Sequence, residues 1–360
     1  MRTFFTLIFF VLIVACNQKK IAYKREGINV YFKSFPSEEN LIGNPVKLSK
    51  ELLVARRISI LDSLLIINDS QTAEEHIHIF NLNDYRYITS AVSKGEGPGE
   101  LTSVSSVFTE KGKLYLHDAQ TQKLLAIDIN NILQNEYRYD SFSTRTHQKS
   151  SVLRLVKSRD MYIGDLMPAF KNRIQVFDEN LDEISSFGNF PPFEKKGSID
   201  SMRFLIQVKG YLFQGNLESV PQNNLLLIAH HFTDIIEVFD ISTNENILNI
   251  IGPEQNYPPK YELLNDGFGV PCKGCKYAYN TIRFYNNKIY ALYSGIEEQE
   301  SNAHECRTLF VFDLNGMPLK KITLNVSLTD FVLTEEDGHI KMYGLSPDSE
   351  DASLYEFIIQ

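Results

Sequence analysis

The feature that most constrains this chain is a two-part phrase that occurs six times. An apolar, strand-like run ends in a polar residue. After a gap, a second run ends in an aromatic or aliphatic residue, followed in most copies by Asp or Asn. Residues 64–69 lead to 77–81, 114–118 to 124–128, 161–165 to 174–178, 225–230 to 236–240, 289–294 to 309–313, and 340–344 to 354–358. The phrases close on Phe80, Ile127, Phe177, Phe239, Phe312 and Phe357. Each alternates well enough to be a hairpin, and each unit has room for four strands. Recurrence at this period marks a repeat architecture, and four-stranded units set around an axis leave only short, protected sheet edges.

The expected fold is therefore all-β: a six-bladed β-propeller of four-stranded antiparallel blades, occupying residues 28–360 as one domain. The uneven spacing of the phrases fits insertions in loops. The last unit stops right after its phrase and lacks an outer strand. The segment 27–33 is expected to supply that strand and close the ring. No long helix is predicted.

Composition supports this reading. Eighteen Tyr and 24 Phe favour strands, and 43% hydrophobic residues can bury a large core. The net charge of -9 and the lack of a long basic run argue against a nucleic-acid partner.

Between the first and second units lies Lys94-Gly95-Glu96-Gly97-Pro98-Gly99-Glu100-Leu101. Glycines at alternate positions, with Pro98 between two of them, forbid both helix and regular strand. The stretch Leu-Thr-Ser-Val that follows does not start a helix, so this is not a phosphate-binding loop of the usual kind. Gly95, Gly97, Pro98 and Gly99 read as a tight crossover between blades, with an anion-binding nest of backbone amides as the alternative. The stretch resembles the Gly-x-Gly-Pro-Gly-Glu-Phe connection of a group of six-bladed β-propeller lipoproteins of Gram-negative bacteria, TolB-like or NHL-like, with Leu101 where Phe is usual. Residues 288–295 are similar to that group as well. The resemblance implies the propeller fold and a place in the cell envelope, and it implies no particular ligand.

Residues 1–16 read as a targeting segment. Arg2 precedes a run, 4–15, that is apolar except for Thr6 and too short to span a bilayer. Ile13-Val14-Ala15-Cys16 resembles a bacterial lipobox. The resemblance implies cleavage before Cys16 and a diacylglycerol on its thiol. Asn17 and Gln18 do not suggest inner-membrane retention, so an outer-membrane anchor is expected, with 17–27 as a polar tether.

Three sets of residues could carry chemistry. Asp69, Asp118 and Asp165 fall at equivalent repeat positions. Converging on a channel mouth, they could hold Ca²⁺, as six-bladed lactonases hold a metal. As Asx turns, each would instead accept backbone N–H groups in its own hairpin, which is the expected role. Cys272, Cys275, His304 and Cys306 could form a zinc site, a disulfide or free thiols. Their spacing is unlike that of common structural zinc sites, and no cofactor is expected. His76 and His78 share a strand face, and His230 and His231 end a strand. Any of them could act as a general base only with a partner and a cleft.

Strand order places the crossover at 95–100, the turns after the second strand of each blade, and the long loops 253–275 and 295–307 on one face. The expected ligand contacts lie there: His230, His231, Tyr257 and Tyr261. The expected function is a lipid-anchored, non-catalytic binding protein for a small molecule, glycan, peptide or protein. A channel-site enzyme, such as a metal-dependent lactonase or lyase, is the alternative, because the propeller hosts both.

Overall fold

The computed structural model describes residues 26–70, 74–136, 138–144, 151–166, 172–191, 208–255, 259–265, 269–347 and 353–360. Residues 1–16 with Cys16, most of 17–27, and Tyr257 lie outside the described residues.

Three strands come first in the chain: β1 (Ile28–Tyr31), β2 (Glu38–Leu41) and β3 (Asn44–Val46). Blade 1 is β4 (Ala55–Leu61), β5 (Leu64–Asp69), β6 (Glu75–Asn81) and β7 (Tyr87–Ser93). Blade 2 is β8 (Ser106–Glu110), β9 (Lys113–Asp118), β10 (Lys123–Asp128) and β11 (Tyr139–Ser143). Blade 3 is β12 (Val152–Ser158), β13 (Met161–Leu166), β14 (Ile174–Phe177) and β15 (Glu183–Phe187). Blade 4 is β16 (Gly215–Val220), β17 (Leu225–His230), β18 (Ile235–Asp240) and β19 (Glu245–Ile251). A small hairpin, β20 (Tyr261–Leu263) and β21 (Gly269–Pro271), lies in the connection to blade 5. Blade 5 is β22 (Tyr279–Tyr285), β23 (Lys288–Tyr293), β24 (Cys306–Asp313) and β25 (Pro318–Leu328). Blade 6 is β26 (Asp330–Glu336), β27 (His339–Leu345) and β28 (Leu354–Ile359). The molecule is a six-bladed propeller, and the first strand of each blade lines the axis.

The second and third strands of each blade are the six phrases. They read as nearly continuous apolar runs because a blade packs on both of its faces. Leu65 and Ile67 face blade 6, while Ile66, between them, faces blade 2. Six buried clusters fill the six interfaces between adjacent blades. The core is thus a ring of layers rather than a single centre. The Asp or Asn after five of the phrases turns the chain into the fourth strand. Asp178 Oδ1 accepts the N–H groups of Asn180 and Asp182 at 2.9 Å, and Asp313 Oδ1 accepts those of Asn315 and Met317.

The ring is closed by an N-terminal strand, but not by the segment expected. β3 supplies the missing outer strand of blade 6, antiparallel to β28. Residues 28–31 instead run parallel to β19 as a fifth strand of blade 4, and β2 does the same on blade 5 beside β25. The N-terminal segment therefore straps the outer edges of three successive blades. Phe32 and Phe35 pin it in the interface of blades 4 and 5. Phe32 meets Phe310 and Phe312 edge-on, and Phe35 stacks on Phe310 at 4.9 Å. Burying two aromatic rings outweighs whatever a strand pairing on blade 6 could offer this segment.

Candidate functional site

Every first strand starts on the same face of the ring, called here the mouth. The turns after the second strands and the crossovers between blades lie on that face, as antiparallel order requires. The loops 253–275 and 295–307 meet there: Tyr277 N donates to Ile296 O, and Glu298 N to Cys275 O.

At the mouth, three of the first strands carry one extra residue. The register skips Arg56 in β4, Leu153 in β12 and Asn280 in β22, whereas β8, β16 and β26 pair regularly. A bulge bends its strand and re-aims the side chains beside it. Here the bulges fall in alternate blades. Together with their neighbours Arg57 and Arg154, the three bulged residues line a cavity of about 600 Å³ at the mouth. A second chamber of about 290 Å³ lies further along the axis, and Arg57, Ser105 and Arg154 border both. These two arginines form a waist.

Both arginines are half-buried and face the cavities. Burial lowers the Arg57 pKa, with Arg283 adding to the effect against the pull of Asp330. Burial and then Arg57 bring Arg154 down to about 10, so it remains charged at neutral pH. Neither has a carboxylate partner among the described residues. Arg57 reaches only Asn216 Oδ1, at 3.5 Å. The neighbouring acids are already engaged. Asp330 holds Arg283 at 2.7 Å, and Asp165 and Glu237 hold the fully buried Arg173 at 3.3 and 2.6 Å. Glu218, in the inner chamber, accepts Phe284 N–H, and burial raises its pKa to about 7.

His231 sits behind Arg154. Its Nε2 is 3.1 Å from Arg154 Nη2, and its Nδ1 is 2.8 Å from Tyr279 O and 2.9 Å from the Tyr277 hydroxyl. That hydroxyl donates to Asn280 Oδ1 at 3.0 Å, and the Tyr277 ring stacks on His231. Burial and the Arg154 charge hold the His231 pKa well below its ordinary value. His304, on the long hairpin connection of blade 5, meets the Tyr277 ring edge-on and lines the mouth cavity.

The glycine-rich crossover carries its own anion. Gly97 N–H donates to Glu100 Oε2 at 2.9 Å, and a Cβ on Gly95 or Gly97 would strike that carboxylate. Lys123 Nζ caps Gly97 O and Glu100 O from blade 2. The amide nest is thus filled by Glu100, and Gly95, Gly97, Pro98 and Gly99 serve the turn.

The three repeat aspartates do not converge. Asp69 accepts Leu53 and Val54 N–H groups from the start of its own blade. Asp118 accepts Thr102 and Ser103 from the crossover and Gln120 and Thr121 from its hairpin. Burial alone would raise the Asp118 pKa, but these donors, Thr102 first, hold it well below the usual carboxylate range. Asp165 departs from the turn pattern and pairs with Arg173 instead.

The expected ligand contacts separate. His231 supports the waist, while His230 is buried in the interface of blades 3 and 4 with its Nε2 on Glu237 at 2.7 Å. Tyr261 packs with Val208, Leu212 and Phe213 under the β20–β21 hairpin. His76 Nε2 bonds Leu101 O, and His78 Nδ1 bonds Ser90. Cys272, Cys275 and Cys306 form no disulfide. The set Cys272, Cys275, His304 and Cys306 is not gathered: among the described residues no three His, Cys, Asp or Glu could hold a metal ion. Arg56, Arg57 and Arg154 are not among the residues singled out from the sequence. Their signal is an arginine in a β-prone run seven or eight residues before a phrase.

Solved structures with this shape are distant in sequence. A protein of Bacteroides fragilis NCTC 9343 described as exported superposes with a TM-score of 0.54 at 14% identity, covering 92% of this chain and 99% of its own. A duf4221 family member from Bacteroides vulgatus gives 0.56 at 11% identity, covering 89% and 96%. A luciferin-regenerating enzyme gives 0.51 at 6% identity, covering 88% and 94%. At these identities the likeness is one of fold alone. No curated protein matches the sequence. The TolB-like 6-blade propeller-like family matches over residues 38–336, and with six blades around one axis the chain belongs to that family.

Proposed function

We propose that the protein is an exported, lipid-anchored binding protein of the cell envelope whose channel mouth takes a small anionic ligand. One observation carries the reading: Arg57 and Arg154 stand half-buried at the waist of the channel, bordering both cavities, with no ion-pair partner among the described residues. Cations that line a concave, partly dehydrated cavity without an ion-pair partner draw an anion to it. A cavity of about 600 Å³ above them is of small-molecule size.

Export and anchoring rest on the apolar run and the lipobox-like Ile13-Val14-Ala15-Cys16, and on the likeness to a protein described as exported. β1 runs toward the mouth, so the tether joins the propeller on the opposite face. An anchor upstream would leave the mouth free. The cationic waist weighs against a metal-dependent lactonase or lyase, because guanidiniums repel a metal cation at the place where a substrate would meet it.

Calorimetric titration tests the reading. Simple anions (phosphate, sulfate and acetate) are expected to bind, and neutral glucose is not. Arg57→Gln and Arg154→Gln are each expected to weaken the anions at least 30-fold, about 2 kcal/mol. Anion affinity unchanged in both variants would place any site elsewhere and overturn the reading. Cys16→Ala is expected to move the protein out of the membrane fraction. A variant that is cleaved and still membrane-bound would remove the lipid anchor from the proposal.

A further inference from the structure

We infer that the anion is a dianion of compact shape, a phosphate monoester, with its phosphate at the waist and its polar body in the mouth cavity. The inference rests on the anion-binding reading above and adds the charge and class of the ligand.

Charge is the first argument. Around the waist, Arg283 is neutralised by Asp330, and Arg173 by Asp165 and Glu237. Glu218 is the remaining acid of the inner chamber, and its Oε1 is already bonded to Phe284 N–H. Arg57 and Arg154 therefore form no ion pair with a described residue: Asp330 and Asp165 act on them only from a distance while holding Arg283 and Arg173. A monocarboxylate would balance only one of these two charges, whereas a phosphate monoester at pH 7.5 carries about two negative charges.

Shape is the second argument. Two planar guanidinium forks from blades 1 and 3 face one cavity, and such forks match the oxygens of a tetrahedral oxyanion. Arg154 is held in place by neutral His231, which accepts one of its N–H groups and leaves the others to a ligand. Room is the third. The mouth cavity is far larger than a phosphate group, and Gln214, Asn280 and His304 on its wall offer polar contacts to a hydroxylated body.

The test uses the wild-type protein and three probes: inorganic phosphate, acetate and glucose 6-phosphate. At pH 7.5 phosphate is expected to bind at least tenfold tighter than acetate, and glucose 6-phosphate tighter than phosphate. Lowering the pH to 5.0 removes most of the second negative charge of the ester, so the ester-to-acetate affinity ratio is expected to fall at least fivefold. The ratio is the proper readout. Glu218 on β16, raised to about 7, gains a proton over this range and favours any anion, and the other charged and titratable groups around the site, Arg56, Arg283, Asp165, Asp330, His76 and His304, face both ligands alike. Acetate binding as tightly as phosphate, or a ratio that does not fall, would overturn the dianion. Glucose 6-phosphate binding more weakly than inorganic phosphate would overturn the ester and make free phosphate the occupant. Binding of none of the probes would instead overturn the anion site itself.

Discussion

Arg154 donates from Nη2 to His231 Nε2 across 3.1 Å, between blades 3 and 4. A guanidinium has no acceptor, so His231 must present a bare nitrogen there and carry its proton on Nδ1, shared between Tyr279 O and the Tyr277 oxygen. Tyr277 in turn donates to Asn280 at the mouth. Three blades thereby fix the direction of one charged side chain.

His231→Ala is accordingly expected to weaken phosphate binding about tenfold, since Arg154 loses its support. His231→Gln, whose amide oxygen can accept the same N–H, is expected to recover most of the loss. Titration of both variants checks this. Equal losses would show that the histidine acts only by filling space.

Acid is expected to destabilise the fold through histidines. Burial lowers the His117 pKa to about 4. Its ring is fully buried between the Ser105 and Thr144 hydroxyls. The unfolded chain takes up this proton near pH 6.5 and the folded protein near pH 4. The stabilisation is therefore complete above pH 6.5 and declines as the pH falls toward 4. One such group accounts for about 3 kcal/mol over that range. Urea unfolding at pH 7 and pH 4 measures it, and His117→Gln should flatten the slope by a comparable amount.

The ion cluster under blades 3 and 4 is expected to be intolerant of change. Arg173 is fully buried, with its Nη1 on Glu237 and Nε on Asp165, and its Nη2 donates to Phe213 O. Arg173→Met removes the cation shared by two buried acids and should cost about 3–5 kcal/mol. Adding Glu237→Gln should return part of that. A single variant as stable as wild type would mean that the cluster is solvated.

Ring closure can be tested by shortening the strap. Removing residues 1–42 deletes β1 and β2 but keeps β3 on blade 6, so a folded monomer is expected, weakened by the loss of Phe32 and Phe35. Removing residues 1–47 bares the edge of β28, and an open edge invites pairing between chains. Size-exclusion chromatography should show aggregation for the second form only. Two equally monomeric forms would argue that β3 does not close the ring.

The sequence by itself determined the six blades, their strand order and the face on which the long loops meet. These follow from local patterns. Leu64 to Ile67 or Leu225 to Ile228 must be buried on both sides, and the residues Asp178 and Asp313 turn the chain wherever they stand. Only the tertiary structure decided which N-terminal segment closes the ring. Residues 28–31 and 44–46 are both short and β-competent, and the choice depends on Phe32 and Phe35 finding Phe310 and Phe312 across the ring. It also decided the site. His230 and His231 are neighbours that point to opposite sides of a blade, and local pattern does not say which side meets the channel. Arg56, Arg57 and Arg154 lie in strands outside the phrases, about a hundred residues apart. Bulges that pairing alone reveals, together with closure of the ring, bring all three to the wall of the mouth cavity.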